Sequence, residues 1–411
     1  MSALAVIGGG PAGMMAAYTA ATQGISVTLL EKNEKLGKKL YITGKGRCNL
    51  TNNTDIPGLM AQVVTNPRFL HSAFNALDSQ ALMAFFQDRN VPLKTERGGR
   101  VFPVSDRAND INQALGAHLR KIGVNIALNC EVKSMEQDGD SFSITTPTGR
   151  IHAKAVIVAT GGLSYPSTGS TGDGFIWANQ LGHSVVSTFP SLVPLEAQEP
   201  WIASLAGLSL KNVKCTLRLG KKIAFEELGE MMFTPTGITG PLILSASAYL
   251  AGKHQPLISI DLKPGLTHDQ LDTRLLRDFE IYKNRDFCNA LDGLLPQRLI
   301  ETIITLSNIP PHKKVHTITR AERQNLASIF KNLEIRPTGN AGYKEAVITK
   351  GGISIKDVSP STLMSKHMPG LFFAGEVLDV DALTGGYNMQ IAFSTGYLAG
   401  MAVAEYIKGS V

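Results

Sequence analysis

Gly8, Gly10 and Gly13 stand in a G-x-G-x-x-G spacing directly behind the apolar run Ala3 to Ile7, and no other stretch constrains the chain as strongly. The first glycine permits a tight turn, the second lets backbone approach a pyrophosphate, and the third allows a helix from Pro11 to about Gln23 to pack closely. The start of that helix offers unpaired N–H groups and the positive end of its dipole to a phosphate. Gly24 ends the helix, Ile25, Val27 and Leu29 continue as a strand, and Glu31 follows eighteen positions after Gly13 (13 to 31). A carboxylate near that offset accepts bonds from an adenosine ribose and argues against a 2′-phosphate. A dinucleotide site is expected, and the motif alone does not choose between FAD and NAD.

A chain of 411 residues has room for two or three domains. Its 43% hydrophobic and 18% charged content fit an ordinary soluble protein, and a formal charge of +6 spread over this length speaks only weakly for nucleic acid. The apolar N-terminal stretch has no Lys or Arg before Lys32 and is broken by glycine and proline, which suits a buried strand and helix rather than a secretion signal. No uninterrupted apolar run is long enough to span a bilayer, so a soluble, cytoplasmic protein is expected. Cys48, Cys130, Cys215 and Cys288 are far apart, with no C-x-x-C pair and no metal-ligand spacing with histidine. Reduced thiols and no metal site follow, and the disulfide-reductase flavoproteins are excluded.

After Glu31, Lys35, Lys38, Lys39, Lys45 and Arg47 crowd around Gly37, Gly44 and Gly46, a composition that can lie along a pyrophosphate. Gly46 follows Lys45 where a nucleotide-triphosphate loop requires Ser or Thr, so that reading fails. Helices are predicted between Asn66 and Asn90 and from Asp110 to Ile122, strands from Val124 to Leu128 and Glu131 to Met135, and a hairpin closes around Pro147 and Gly149. Val132 is the candidate to pass an adenine. The strand Lys154 to Ala159 runs into Thr160-Gly161-Gly162, and a helix from Asp173 to Leu181 follows.

From Pro190 to Pro337 the α/β rhythm breaks, first into β-like runs and then into helical patterns, as in an inserted domain. Phe233 to Pro241 reads as a constrained turn before an apolar helix. The last segment returns to the first pattern. Ala346 to Lys350 is a strand leading to Gly351-Gly352, Leu371 to Ala374 is another leading to Gly375-Glu376, and Gly385 to Gln390 opens a long helix. The apolar strand at Leu371 belongs in the same sheet as Ala3 to Ile7.

Three glycine clusters remote from the first, at Thr160 to Gly162, Gly375-Glu376 and Gly385 to Gln390, suit an extended cofactor crossing the sheet, which favours FAD over NAD. A helix beginning near Gly386 would aim its positive end at the N1–C2=O edge of an isoalloxazine. No second G-x-G-x-x-G follows a strand, so NADH or NADPH, where used, binds transiently, or the substrate itself reduces the flavin.

The segments Gly8 to Gly13, Gly44 to Asn52, Ala159 to Gly174, Phe233 to Pro241 and Phe373 to Gln390 together resemble the BaiN/YhiN-type flavoprotein family, also described as aminoacetone-oxidase-family FAD-binding enzymes. The resemblance covers essentially the whole chain. It implies an α/β fold: a Rossmann-like FAD-binding domain from residues 1–189 and 338–411, and an insert over 190–337 with a small β-barrel (about 190–265) and a helical part (about 266–337). It also implies non-covalent FAD. Position by position, Glu31 would take the adenosine ribose, Pro11, Ala12 and Gly13 the pyrophosphate, Gly46, Arg47, Cys48 and Asn49 the phosphate or flavin edge, and Gly386, Tyr387, Asn388, Met389 and Gln390 the flavin pyrimidine. Glu376 stands where many FAD proteins carry Asp after Gly, with Asp379 the alternative ribitol contact. The cofactor set is completed by Gly8, Gly10, Lys32, Lys39, Val132, Ala159, Thr160, Gly161 and Gly375.

The reaction expected is hydride transfer between flavin N5 and a small or steroid-like organic molecule, with NAD(P)H or O2 as the other redox partner. Bile-acid-intermediate reduction and amine oxidation are both described in the family. Arg47, Tyr165, Thr234, Lys350 and Tyr387 are the substrate-facing candidates, and no residue is assigned the proton transfer. Cys48, alone in a glycine loop, reads as inert. One rival is a tRNA-modifying flavoprotein, against which stands the lack of a Lys/Arg stripe interleaved with aromatics. Another is an FAD-binding redox sensor without turnover. Fumarate-reductase-like chemistry ranks lower, since its arginine and histidine motifs are missing. A small-molecule substrate is expected, with no membrane and no nucleic acid favoured, and no oligomeric state follows.

Overall fold

Leu4 to Ile7 are buried on both faces, as a near-continuous apolar strand in the middle of a parallel sheet must be. In the computed structural model, which describes residues 2–250, 252 and 255–409, Ser2–Ile7 pairs in parallel with Val27–Leu30 on one side and Gly149–Val158 on the other. The seven-stranded sheet runs Asn125–Ala127, Val27–Leu30, Ser2–Ile7, Gly149–Val158, Ser141–Thr146, Ser134–Asp138. Gly149–Val158 is long enough to serve two partners on its far edge. Residues 149–153 pair antiparallel with Ser141–Thr146, while Val156 to Val158 pair in parallel with Leu371–Phe373.

The late strand is thus tied into the sheet of the first, and the helices that follow each are tied to one another. A Cβ at Gly396 would lie 2.2 Å from the Ala12 carbonyl oxygen and one at Gly400 2.7 Å from that of Ala16. Only glycine lets Tyr387–Lys408 approach Pro11–Thr22 this closely.

Two expected elements are placed differently. The strand expected at Glu131 to Met135 starts only at Ser134, so Val132 lies in the connecting segment after Cys130, whose N–H bonds the Glu31 carbonyl. Gly351 and Gly352 lie inside the strand Ile348–Ile353 rather than beyond it. That strand pairs with Val185–Ser191 across a bulge, and a Cβ on Gly351 would sit 2.3 Å from the Ser187 oxygen. Close pairing of strands, not a ligand, explains the glycine there.

The chain divides into two units, Met1–Ser191 with Tyr343–Val411, and Leu192–Gly342. The second has its own apolar core. Its seven strands run Leu333–Ile335, Pro256–Asp261, Ser209–Leu219, Lys222–Thr234, Gly237–Thr239, Leu195–Ala197, Pro337–Asn340. The two ends of that order are consecutive in the chain, separated by Arg336 alone, so one kinked stretch forms both edges and the sheet rolls into a barrel. The stretch Phe233 to Pro241 is a hairpin turn at Pro235-Thr236, followed by the helix Pro241–Ser247. Amphipathic helices His268–Ile281 and Arg320–Lys331 start at capping boxes, Thr267 with Gln270 and Thr319 with Glu322. Among the described residues no helix is long and apolar enough to cross a membrane.

Candidate cofactor cleft

The turn after Ser2–Ile7 is built by three glycines with three different constraints. Gly8 has φ +108°, and a Cβ there would lie 2.4 Å from the Ala159 oxygen; a Cβ on Gly13 would lie 1.9 Å from the Gly8 oxygen. Both are needed by the fold itself. Gly10 is different, because its Cβ would meet nothing within 4 Å. It caps Pro11–Thr22 without a side-chain bond, and the first helical turn carries no acidic residue. An open cradle at a helix start with free N–H groups accepts an anion.

The cleft around this cradle encloses ≈ 1260 Å³, counting the open space at its mouth. At one end lie Glu31, Lys32, Val132 and Trp177; the middle is lined by Gly8, Gly10, Pro11, Ala12, Ala159, Thr160 and Gly161; the other end reaches Lys39, Glu376, Val380, Asn388 and Met389. Glu31 is buried, with Oε2 accepting the Gly9 N–H at 2.7 Å and Oε1 accepting the Asn33 N–H at 2.8 Å. Lys32 Nζ bonds Asp173 at 2.6 Å and also Thr171, linking the two sides of that end. Thr160 lines the cleft, while its hydroxyl is buried toward Gly174 without a protein partner.

Lys39 Nζ lies 2.6 Å from both Ser164 Oγ and Glu376 Oε2, while Glu376 Oε1 accepts from Ser164 at 2.6 Å and from the Thr349 N–H at 2.9 Å. The two cofactor candidates are therefore partners of each other. Thr349 and Ser164, which complete this network, are absent from the sequence-derived set, and no local pattern marks residues 185 positions apart as neighbours.

The remaining candidates do not line the cleft. Gly13 packs on Gly8, and Gly375 donates to Thr395 Oγ1 at 2.9 Å. The Arg47 guanidinium stacks 4.0 Å from the Phe102 ring centroid and pairs with Glu96 at 2.8 Å and Asp106 at 3.3 Å. Cys48 is wholly buried at φ +60°, and burial pushes its thiol up to about 12. Asn49, with its amide oriented so that the oxygen accepts, takes the Gly386 N–H at 3.0 Å, joining the Gly46 loop to the start of Tyr387–Lys408. Gln390 is fully buried and donates to the Leu77 carbonyl and Ser394, both at 2.9 Å. Its side chain therefore ties helix to core rather than facing a cofactor.

Asp379 is buried beneath Val380 and accepts from Asn66 Nδ2 at 3.0 Å; burial pushes its carboxyl up. Gly386 abuts Thr51, where a Cβ would come within 2.4 Å. Tyr165 is half-buried in the left-handed region at φ +51°, its N–H bonded to the Tyr343 carbonyl. Tyr387 is half-buried beside Gly385. Lys350 lies 3.6 Å from Asp381 Oδ1. Thr234 belongs to the barrel unit, at the end of Lys222–Thr234.

Sequence also scatters what the fold gathers beside Arg47. Lys94 and Arg100 join it around Glu96 and Asp106, and Lys45, Arg97 and Arg107 on the same loops are exposed. Among the described residues no cluster of His, Cys, Asp and Glu suits a metal ion.

The description "HI0933-like protein Rossmann domain" matches residues 2–402. The chain is 31% identical to the 3-dehydro-bile acid delta(4,6)-reductase of Clostridium scindens, over 98% of this chain and 100% of that one. It is also 31% identical to the ribosomal RNA dihydrouridine synthase of Escherichia coli, over 95% of each. In fold it resembles the 3-ketosteroid-delta4-(5alpha)-dehydrogenase of Rhodococcus jostii, with 15% identity, a TM-score of 0.52, and coverage of 98% of this chain and 96% of that one.

Proposed function

Because the chain belongs to the HI0933-like Rossmann-domain family of flavin-dependent oxidoreductases, we propose that it uses FAD to reduce a carbon–carbon double bond conjugated to a carbonyl. The observation that carries this reading is the cleft running from buried Glu31, past the open cradle at Gly10, to Asn388 and Met389. Those residues suit FAD: Gly10 to Ala12 would hold the pyrophosphate, Glu31 the adenosine ribose, Glu376 the ribitol side, and the start of Tyr387–Lys408 the pyrimidine edge. Bound FAD supplies hydride chemistry that no side chain offers.

The names of the two relatives support the substrate class. A 3-oxo bile acid unsaturated at positions 4 and 6, and the 5,6 bond of a uracil ring, are both electron-poor double bonds next to a carbonyl. NADH or NADPH as a transient donor completes the reading.

The test is anaerobic. The visible spectrum of purified protein is recorded, NADH and NADPH are added separately, and the bleached protein is mixed with a 3-oxo-Δ4 bile acid or a uridine-containing RNA. Bleaching by one nicotinamide and recovery of the band with an unsaturated acceptor support the reductase. No flavin band after reconstitution with FAD would end it, and bleaching by amines alone would turn the assignment to an amine oxidase.

A second reading, an RNA substrate, is favoured by the basic group around Arg47, Lys94 and Arg100 with exposed Lys45, Arg97 and Arg107. RNA held there would dissociate steeply with added salt, whereas a bile acid would not.

A further inference from the structure

Asn33 stands two positions past Glu31, and both polar atoms of its side chain are engaged at the Glu31 end of the cleft. Its Nδ2 donates to Glu31 Oε1 at 2.7 Å and to the Thr168 carbonyl oxygen at 3.0 Å, and its Oδ1 accepts from Lys38 Nζ at 3.2 Å. One amide nitrogen thus joins the Glu31 carboxylate to a segment 135 positions from itself. Glu31 takes the Asn33 N–H and Nδ2 on Oε1 and the Gly9 N–H on Oε2. A carboxylate offers about four lone-pair sites, so these donors leave room for about one more. That suits a single ribose hydroxyl.

Lys32 makes a second tie between the same segments. Its Nζ pairs with Asp173 at 2.6 Å and bonds Thr171, so the ammonium expected to contact the cofactor is engaged by the protein instead. Gly169 lies against both ties. At φ +102°, a Cβ there would stand 2.6 Å from Asn33 Nδ2 and 3.1 Å from Lys32 Cε, so any side chain would push the segments apart. Lys32, Asn33, Thr168, Gly169 and Asp173 all line the cleft with Glu31. The two segments are anchored differently. The Glu31 N–H bonds the Ala127 carbonyl, and the Glu31 and Asn33 carbonyls take the Cys130 and Asn129 N–H groups. The Thr168 and Gly169 N–H groups bond within their own loop, to Tyr165 and Pro166. Lys32 and Asn33 carry hydrogen bonds from the fixed side to this loop.

Resting on the FAD reading above, we propose that Asn33 and Lys32 form a clasp that sets how slowly FAD leaves the cleft, and that Asn33 is also the positioning residue of Glu31. While the clasp is closed, the end of the cleft where the adenosine would lie cannot widen and the Glu31 carboxylate cannot turn away. The Lys32 and Asp173 side chains keep 24% and 28% of their surface exposed, so salt screens the pair and loosens the clasp. The clasp acts on the adenosine half alone. FMN, which carries the same ring without adenosine, is indifferent to it.

The experiment dilutes FAD-loaded wild type, Asn33→Ala, Lys32→Met and Asp173→Asn into flavin-free buffer at low and high NaCl, and follows release by the rise in flavin fluorescence. Asn33→Ala is expected to release FAD about tenfold faster than wild type, and Lys32→Met and Asp173→Asn about fivefold faster. NaCl should speed release less in those two variants than in wild type, and the double variant should release no faster than either single one. FMN release from the same proteins should stay within about twofold of wild type. Wild-type FAD release in all three variants would overturn the clasp and leave the FAD reading standing. Equal acceleration of FMN would also overturn it, since the whole cleft would then have loosened. Failure of the wild type to hold FAD would overturn both. Should Asn33→Ala not fold, the two variants of the partly exposed pair decide the matter.

Discussion

Lys39 and Glu376, separated by 337 positions in the chain, form an ion pair of 2.6 Å on the wall of the cleft. Their side chains are only 20% and 15% exposed, so removing one partner leaves the other charge poorly solvated. Lys39→Met is expected to cost about 2 kcal/mol, less than a fully buried pair because some solvent reaches both groups. Glu376→Gln should cost less, since an amide oxygen can still accept from Ser164 and from the Thr349 N–H. The double variant should recover part of the loss, as neither charge is then left alone. Melting midpoints of the four FAD-free proteins test this; strict additivity would show that the pair is not coupled.

Gly10 and Gly13 separate binding from folding. Gly13→Ala drives a methyl to 1.9 Å from the Gly8 carbonyl oxygen and should abolish or severely impair folding. Gly10→Ala has φ −78° and open space, so the FAD-free protein should melt within about 2 °C of wild type. The same methyl fills the cradle, and FAD affinity should fall at least about tenfold. Equilibrium dialysis against FAD checks it, and unchanged affinity in Gly10→Ala would move the phosphate site elsewhere.

How much of this could be read from residues alone depends on how local the cause is. The first strand, its glycine turn and Glu31 follow from short-range rules, and the apolar run at Leu371 announces a buried parallel strand as plainly as Ala3 to Ile7 does. The Lys39 and Glu376 pair was not legible, because each residue alone suggests only a polar contact with a ligand. Gln390 misleads for the same reason. Its place in the opening turn of a helix behind glycines points to the cofactor, yet its amide is spent on Leu77 and Ser394. Gly351 and Gly352 read as residues beyond a strand until the backbone of Ser187 beside the first and of Val377 beside the second is seen to need the space.

The thiols give a direct readout of burial. Cys48 and Cys215 are both pushed up to about 12, Cys48 by burial and Cys215 mainly so with Glu227 adding to it. At pH 8 neither is a thiolate in the folded protein, whereas Cys288 is partly exposed. Iodoacetamide at that pH should label Cys288 first, with Cys48 and Cys215 reacting only after denaturation. Rapid native labelling of Cys48 would reinstate it as a reactive thiol.

Asp381 makes the sign of a stability change depend on pH. Burial raises its folded carboxyl above the ordinary 3.8, so the folded state holds the proton more tightly than the unfolded chain does. Its contribution is fully present below pH 3.8 and is lost as pH rises through the raised value, where a charge must be kept in the core. Asp381→Asn removes that charge, and the Lys350 side chain keeps 21% of its surface exposed. The melting midpoint of Asp381→Asn relative to wild type should therefore improve from pH 4 to pH 8. Asp272 provides the opposite control: its hydrogen bond from Arg323 holds it below its ordinary range, so Asp272→Asn should lose ground against wild type over the same rise in pH. Parallel pH dependences in the two variants would mean that Asp381 carries no unfavourable charge when folded, and that Lys350 satisfies it completely.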